Sequence, residues 1–276
     1  MLTAEQTEAF RATGIVRVPD AFDAEVALQI QERIWEHLEQ NGVVRDEPAT
    51  WLPERFGGFG GVRQQLPVGR LRTPRLRGAF DDLLGRSKWT FPERIGLLVS
   101  PPEMPQTPWK IARRDWHWDA GQAGPWSQKE GLFFWCVLGL IPPRSGGTLL
   151  LEGSRSLLGE FMAESEAQSV YSTRERFQEW HPYLRRLFGL DPADDPDEFL
   201  EPFVDEVGRR LRVMEVTGQP GDVIITEPGI VHRIPQHHGS SPRFLSLLRV
   251  AARWVPLRPS ARVGAPSVAE RLKPSA

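Results

Sequence analysis

His117 and Asp119 stand two apart in "RDWHWDAGQ", residues 114–122, with Trp116 and Trp118 around them. On an extended chain residues i and i+2 point to one face. An imidazole and a carboxylate therefore leave the backbone together, while the two indoles turn to the opposite layer, where burial can anchor them. Two donors do not make a metal site. The third candidate lies in "GDVIITEPGIVHRIP". Gly221-Asp222 reads as a turn, "VIIT" as a strand, "EPG" as a second turn, and His232 falls at the start of the next strand. Two imidazoles and one carboxylate on one face leave coordination positions open, the arrangement that suits non-haem Fe(II) and O2. His237 and His238, in "PQHHGS", follow a proline and precede a Gly-Ser turn, so they read as loop residues.

Arg243 follows His232 by eleven residues, one strand later. A guanidinium is a planar fork that pairs with a carboxylate through two bonds. Buried without an acidic neighbour in sequence, it needs an anion. The distal carboxylate of 2-oxoglutarate would supply one.

These side chains need a rigid frame, and the sequence outlines it. In "LTAEQTEAFRATG" Thr3 is an N-cap, Gln6 closes a capping box and Gly14 ends the helix. "IVRV" is a short strand. Asp23 caps a second helix on which Val26, Ile30, Ile34 and Leu38 recur at helical spacing, closed by Gly42. Residues 45–75 read as loop-rich, with several prolines. Their "FGGFGG" matches no phosphate-binding pattern. "TPRLRGAFDDLLGR" is a further helix with Pro74 near its start. The arginines from Arg63 to Arg86 read as a solvated face, of which one or two could reach an anionic substrate. From residue 95 onward come "RIGLLVS", "KIARRDWHWD", "EGLFFWCVLGLI", "GGTLLLEG", "LRVMEVT", "GDVIITEP", "VHRIP" and "RFLSLLRVAARWV". This series of short strands with turn signals favours a sandwich or barrel over alternating βαβ units. An insertion at 155–205 carries helical stretches. The expected organisation is one domain over residues 1–260 and a flexible tail at 261–276.

Composition bounds the partners. The chain has 276 residues, net charge −2 and 25% charged residues, so nothing calls for nucleic acid or an anionic membrane. Ten tryptophans suit an aromatic-lined pocket for a small molecule. Cys136, the single cysteine, reads as a buried apolar residue and forms no internal disulfide. The apolar stretch Gly131–Ile141 is far short of the ~18–20 residues that span a bilayer. The N-terminus shows no secretory signal. The expectation is a soluble cytoplasmic protein.

Taken together, these segments resemble the phytanoyl-CoA dioxygenase family of Fe(II)/2-oxoglutarate-dependent oxygenases. The resemblance rests on "LTAEQTEAFRATGIVRVPDAF", "WHWD", "SGGTLLLEGSRSLL" and "GDVIITEPGIVHRIPQHHGSSPRF", and runs to about residue 255. It implies a mainly β fold with flanking helices (α+β), built on a double-stranded β-helix or jelly roll. It implies His117, Asp119 and His232 as the catalytic iron ligands, and Arg243 as the 2-oxoglutarate anchor. Trp135 corresponds to a residue beside the co-substrate. Some members carry a serine two residues after the distal histidine. That position is Ile234 here, and Thr148 is the candidate substitute hydroxyl. The implied reaction oxidises an unactivated C–H of a small molecule with O2, while 2-oxoglutarate is converted to succinate and CO2. The presence of Asp119 argues against halogenation, in which a small residue makes room for chloride. Two other classes stay open. One is a cupin-type metalloenzyme without 2-oxoglutarate, which would not need Arg243. The other is a non-catalytic jelly-roll binding protein. Trp51, Trp109, Trp126 and Trp180 hint at a flat or apolar substrate, and Arg63–Arg86 at a basic entrance.

Overall fold

The computed structural model describes residues 1–103, 107–119, 131–165, 170–193 and 195–252. Trp126 and the 261–276 tail lie outside the described residues.

Short strands, with β4, β5 and β8 buried on both faces, form two antiparallel sheets, each covered on its outer face by helices. The larger sheet runs β1 (Ile15–Val18), β8 (Val223–Thr226), β4 (Leu132–Val137), β10 (Arg243–Ala252) and β2 (Trp89–Thr90), with β3 (Gly96–Ser100) also paired to β10. The smaller runs β6 (Phe203–Val204), β7 (Arg210–Glu215), β5 (Leu149–Glu152) and β9 (His232–Arg233). This is the expected mainly β, jelly-roll class with flanking helices.

Side-chain parity sorts the strands' residues into three apolar layers. Trp135, Val137, Leu150, Ile224 and Leu245 face inward and fill the space between the sheets. Phe134, Cys136 and Leu248 face outward from the large sheet. They meet Ile30, Ile34 and Leu38 of α2 (Ala24–Gln40) and Phe80 of α4 (Pro74–Leu84). Leu149, Leu151, Leu211 and Val213 face outward from the small sheet. They are covered by the insertion, whose helices are α5 (Ser154–Glu164), α6 (Val170–Trp180) and α7 (Pro182–Leu187). The N-terminal signals behave as their chemistry requires. Thr3 and Gln6 form the reciprocal capping box of α1 (Ala4–Thr13), and Gly14 caps its end at φ 75°.

The loop-rich 45–75 stretch contains α3 (Gly60–Gln65) and short 3-10 turns. One expectation needs correction. "KIARRDWHWD" forms no strand. Only His117 pairs, in an isolated bridge to His232. Asp115 sits at φ 65°, a left-handed kink that breaks an extended run. Among the described residues, no helix is long and apolar enough to cross a membrane.

Candidate metal centre and the Arg243 cavity

The bridge at His117 is short but decisive for the site. His117 N–H donates to His232 O at 2.9 Å and His232 N–H donates to His117 O at 2.7 Å. Residues that exchange both backbone bonds lie directly opposite and project to the same side. The two imidazoles therefore meet, with ring centroids 4.4 Å apart. Asp119, two residues on, comes to the same place. Its Oδ2 lies 3.4 Å from His232 Nε2 and its Oδ1 lies 3.9 Å from His117 Nε2. One ligand atom from each of the three residues fits within 4.8 Å of the others. Among the described residues this is the one such cluster of three or more His, Cys, Asp or Glu. Ligands ~2.1 Å from one ion and at right angles sit about 3 Å apart.

Backbone carbonyls set the tautomers. His117 Nδ1 lies 3.0 Å from Asp115 O, and His232 Nδ1 lies 2.9 Å from Ile230 O. A carbonyl can only accept, so Nδ1 carries the proton in each ring. Each Nε2 faces Asp119. Burial pushes His117 down, away from its charged form. The His232 ring holds the Asp119 carboxyl below its usual range. A neutral His117 imidazole and an ionised Asp119 carboxylate are protonation states that suit a divalent metal.

The outward turn of the flanking indoles is as the spacing required. Trp116 and Trp118 are buried in the layer between the small sheet and the insertion. Trp118 meets Phe177 edge-on at 5.6 Å and Trp116 meets Phe188 at 6.2 Å. The insertion thus buttresses the backbone that carries the His-Asp pair. Arg174, also on the insertion, lies over the Trp118 ring at 5.6 Å.

Arg243 opens β10 and shares the inward parity of Leu245. It is only 4% exposed. One Nη donates to the Gly146 carbonyl, and Nε is buried without a hydrogen-bond partner. Burial lowers the guanidinium to about 10, against the opposing pull of Glu103 and Glu215. The Gly146 carbonyl is itself fixed from behind. Glu215 accepts the N–H groups of Arg144 (2.5 Å), Gly146 (2.8 Å) and Gly147 (2.8 Å). Gly146, at φ 103°, could carry no side chain: a Cβ would lie 2.5 Å from Gln236 O.

Arg243 lies on the wall of a cavity of about 590 Å³, together with Ser100, Glu103, Arg63, Ile234 and the glycine-rich 57–60 segment. Of the expected basic run, Arg63 reaches this wall. Trp51, Trp109 and Trp180 do not line it. Trp51 and Trp180 donate instead to Val44 O and Glu164. Trp135 stands edge-on to His232 at 5.4 Å, with its Nε1 buried and unpartnered. Thr148 is fully buried with an unpartnered Oγ1, but it is not part of the Arg243 cavity wall. His181 caps α7 and His237 bonds two carbonyls, of Ser145 and Ser241, so both serve the frame. Ser100 and Glu215 were not foreseen. Neither belongs to a motif, and only strand register reveals what each faces.

No family model matches the sequence and no curated protein does. Solved structures match in fold. The non-heme alpha ketoglutarate dependent carbocyclase SnoK from nogalamycin biosynthesis is 16% identical, with a TM-score of 0.51 over 91% of this chain and 84% of that one. EctD from S. alaskensis with bound Fe is 18% identical, with a TM-score of 0.52 over 91% and 77%. EctD with 2-oxoglutarate and 5-hydroxyectoine gives 18% and 0.50 over 91% and 76%. This chain shares its fold with these structures.

Proposed function

We propose that this chain is an Fe(II)- and 2-oxoglutarate-dependent oxygenase, similar to the phytanoyl-CoA dioxygenase family, that hydroxylates or otherwise oxidises an unactivated C–H of a small molecule. The observation that carries the reading is the pairing of two features. Three metal donors converge, and a buried guanidinium on a cavity wall keeps its Nε without a hydrogen-bond partner. A metalloenzyme without 2-oxoglutarate would have no use for a buried Arg243, and a non-catalytic jelly roll none for the donor set.

Iron with 2-oxoglutarate and O2, when bound, supplies the oxidising equivalents, and the co-substrate leaves as succinate and CO2. The protein's own residues do the rest. His117, Asp119 and His232 would hold the metal. Arg243 anchors the distal carboxylate of the co-substrate. Trp135 and the apolar interior around Leu150, Ile224 and Leu245 keep water from the reacting centre. Thr148, buried with its Oγ1 unpartnered, is the candidate hydroxyl for the co-substrate. We read residues 1–260 as one catalytic domain. The buried, unpaired Cys136 suits a reducing compartment such as the cytoplasm.

Anaerobic titration with Fe(II) and then 2-oxoglutarate tests the reading. Metal binding and a 2-oxoglutarate-dependent visible charge-transfer band are expected, with substrate-dependent succinate release in air. Asp119→Ala should weaken metal binding by more than about a hundredfold. Wild-type protein that binds Fe(II) yet shows no response to 2-oxoglutarate would overturn it in favour of the metalloenzyme alternative.

A further inference from the structure

The metal cluster is more open on one side than on the other. The His232 side chain is only 7% exposed, whereas those of His117 and Asp119 are 31% and 41% exposed. Among the described residues, the open approach to the cluster therefore runs past His117 and Asp119. Arg174 stands beside that approach. It lies three residues before Phe177 on α6, so the two project from one helix face. Both reach Trp118, the residue between the two ligands, each at 5.6 Å. The charge of Arg174 is felt at the ligands. Behind burial for His117, and behind the His232 ring for Asp119, it is among the causes that lower each group.

No acid answers this cation. Arg174 Nε is buried without a hydrogen-bond partner, and among the described residues no carboxylate forms an ion pair with it. By contrast Arg185 and Arg186, on α7 of the same insertion, pair with Asp191 and Glu198. The Trp118 ring attracts the Arg174 charge but leaves its Nε–H without an acceptor. An unmade bond at a buried polar atom is costly, and most such atoms are paired. Nε–H and a neighbouring Nη–H form a planar fork that a carboxylate fills with two bonds.

We propose that Arg174 binds a carboxylate of the substrate that is oxidised, which makes the substrate class a small organic acid docked by its head group on α6 beside the metal centre. This rests on the oxygenase reading above, since it takes the His-Asp-His cluster as the reacting centre. The insertion then chooses the substrate as well as supporting the metal-bearing segment.

The test loads isotope-labelled protein with Zn(II), in place of Fe(II), and with 2-oxoglutarate. Nuclear magnetic resonance follows the Arg174 Nε–H signal, identified as the one missing from Arg174→Gln. Butyrate and butyramide are the probes, alike in shape and different in charge. Butyrate should shift the signal to saturation. A hydrogen bond to a charged group predicts butyramide binding weaker by about tenfold to a hundredfold. Calorimetry should show the same loss for butyrate with Arg174→Gln, while Zn(II) and 2-oxoglutarate affinities stay as in the wild type. Equal affinity for the two probes, or equal butyrate affinity in the two proteins within about twofold, would overturn the proposal. So would a signal that butyrate does not move, or a parallel loss of 2-oxoglutarate affinity in Arg174→Gln, which marks a general support of the site. Wild-type protein that binds Zn(II) and no 2-oxoglutarate would instead bring down the oxygenase reading, while the butyrate comparison on the Zn(II) protein still decides whether Arg174 is a carboxylate site.

Discussion

Replacing Arg243 by methionine should stabilise the ligand-free protein while destroying co-substrate binding. The guanidinium is almost wholly buried, has one bond to a carbonyl and is pushed down to about 10 by desolvation. Each tenfold change in acidity is worth about 1.4 kcal/mol, so holding this charge in the fold costs about 3 kcal/mol. The sign follows from linkage. A base whose affinity for its proton falls on folding destabilises the native state at every pH below its folded value. The penalty is therefore fully present at pH 7 and fades only above about 10. Methionine fills similar space without charge, though it forfeits the bond to Gly146 O, worth about 1 kcal/mol. The net expectation is a gain of about 2 kcal/mol, read from urea unfolding of metal-free protein at pH 7 with an unchanged m-value. With metal present, 2-oxoglutarate at about a hundred times its Kd should add about 2.7 kcal/mol to the wild type and nothing to the variant. A variant less stable than wild type by more than about 1 kcal/mol would refute the reasoning. It would show that Arg243 is a satisfied structural residue rather than a cation awaiting an anion.

Other expectations follow from the same contacts. Trp118→Ala opens the layer between the insertion and the metal-bearing segment, at a cost of about 3–5 kcal/mol in urea unfolding, with weaker Co(II) binding. An unchanged midpoint would show that the insertion does not support the site. Glu215→Ala strips the acceptor from Arg144, Gly146 and Gly147 and should cost about 2–4 kcal/mol, together with a loss of 2-oxoglutarate affinity through the freed Gly146 carbonyl. A loss of stability with co-substrate binding intact would separate Glu215 from the anchor. Burial pushes the Cys136 thiol up to about 12, so a thiol reagent at pH 8 should find no reactive group in the native protein and one in urea. Rapid native labelling would contradict the packing of β4 against the helices.

Much of the frame was readable from local chemistry. The capping box at Thr3, the turn at Gly221 and the start of β10 at Arg243 depend on residues a few positions apart. The His-Asp spacing also gave the sidedness of Trp116 and Trp118, because alternation is a property of the extended backbone itself. The expected strand through "KIARRDWHWD" was not realised, since one left-handed residue, Asp115, interrupts it. The aromatic hint from Trp51 and Trp180 also did not hold, because both indoles are used by near neighbours.

The sequence alone determined which groups could ligate a metal or grip an anion, since that follows from side-chain type and short-range spacing. Only the tertiary structure decided that His117 and His232 exchange backbone bonds across more than a hundred residues. It alone set Ser100 opposite Arg243 and put Glu215 behind the carbonyl that Arg243 holds. The physical reason is register. Which residues face each other across a ladder is fixed by the packing of whole layers, and no local stretch of chain carries that information.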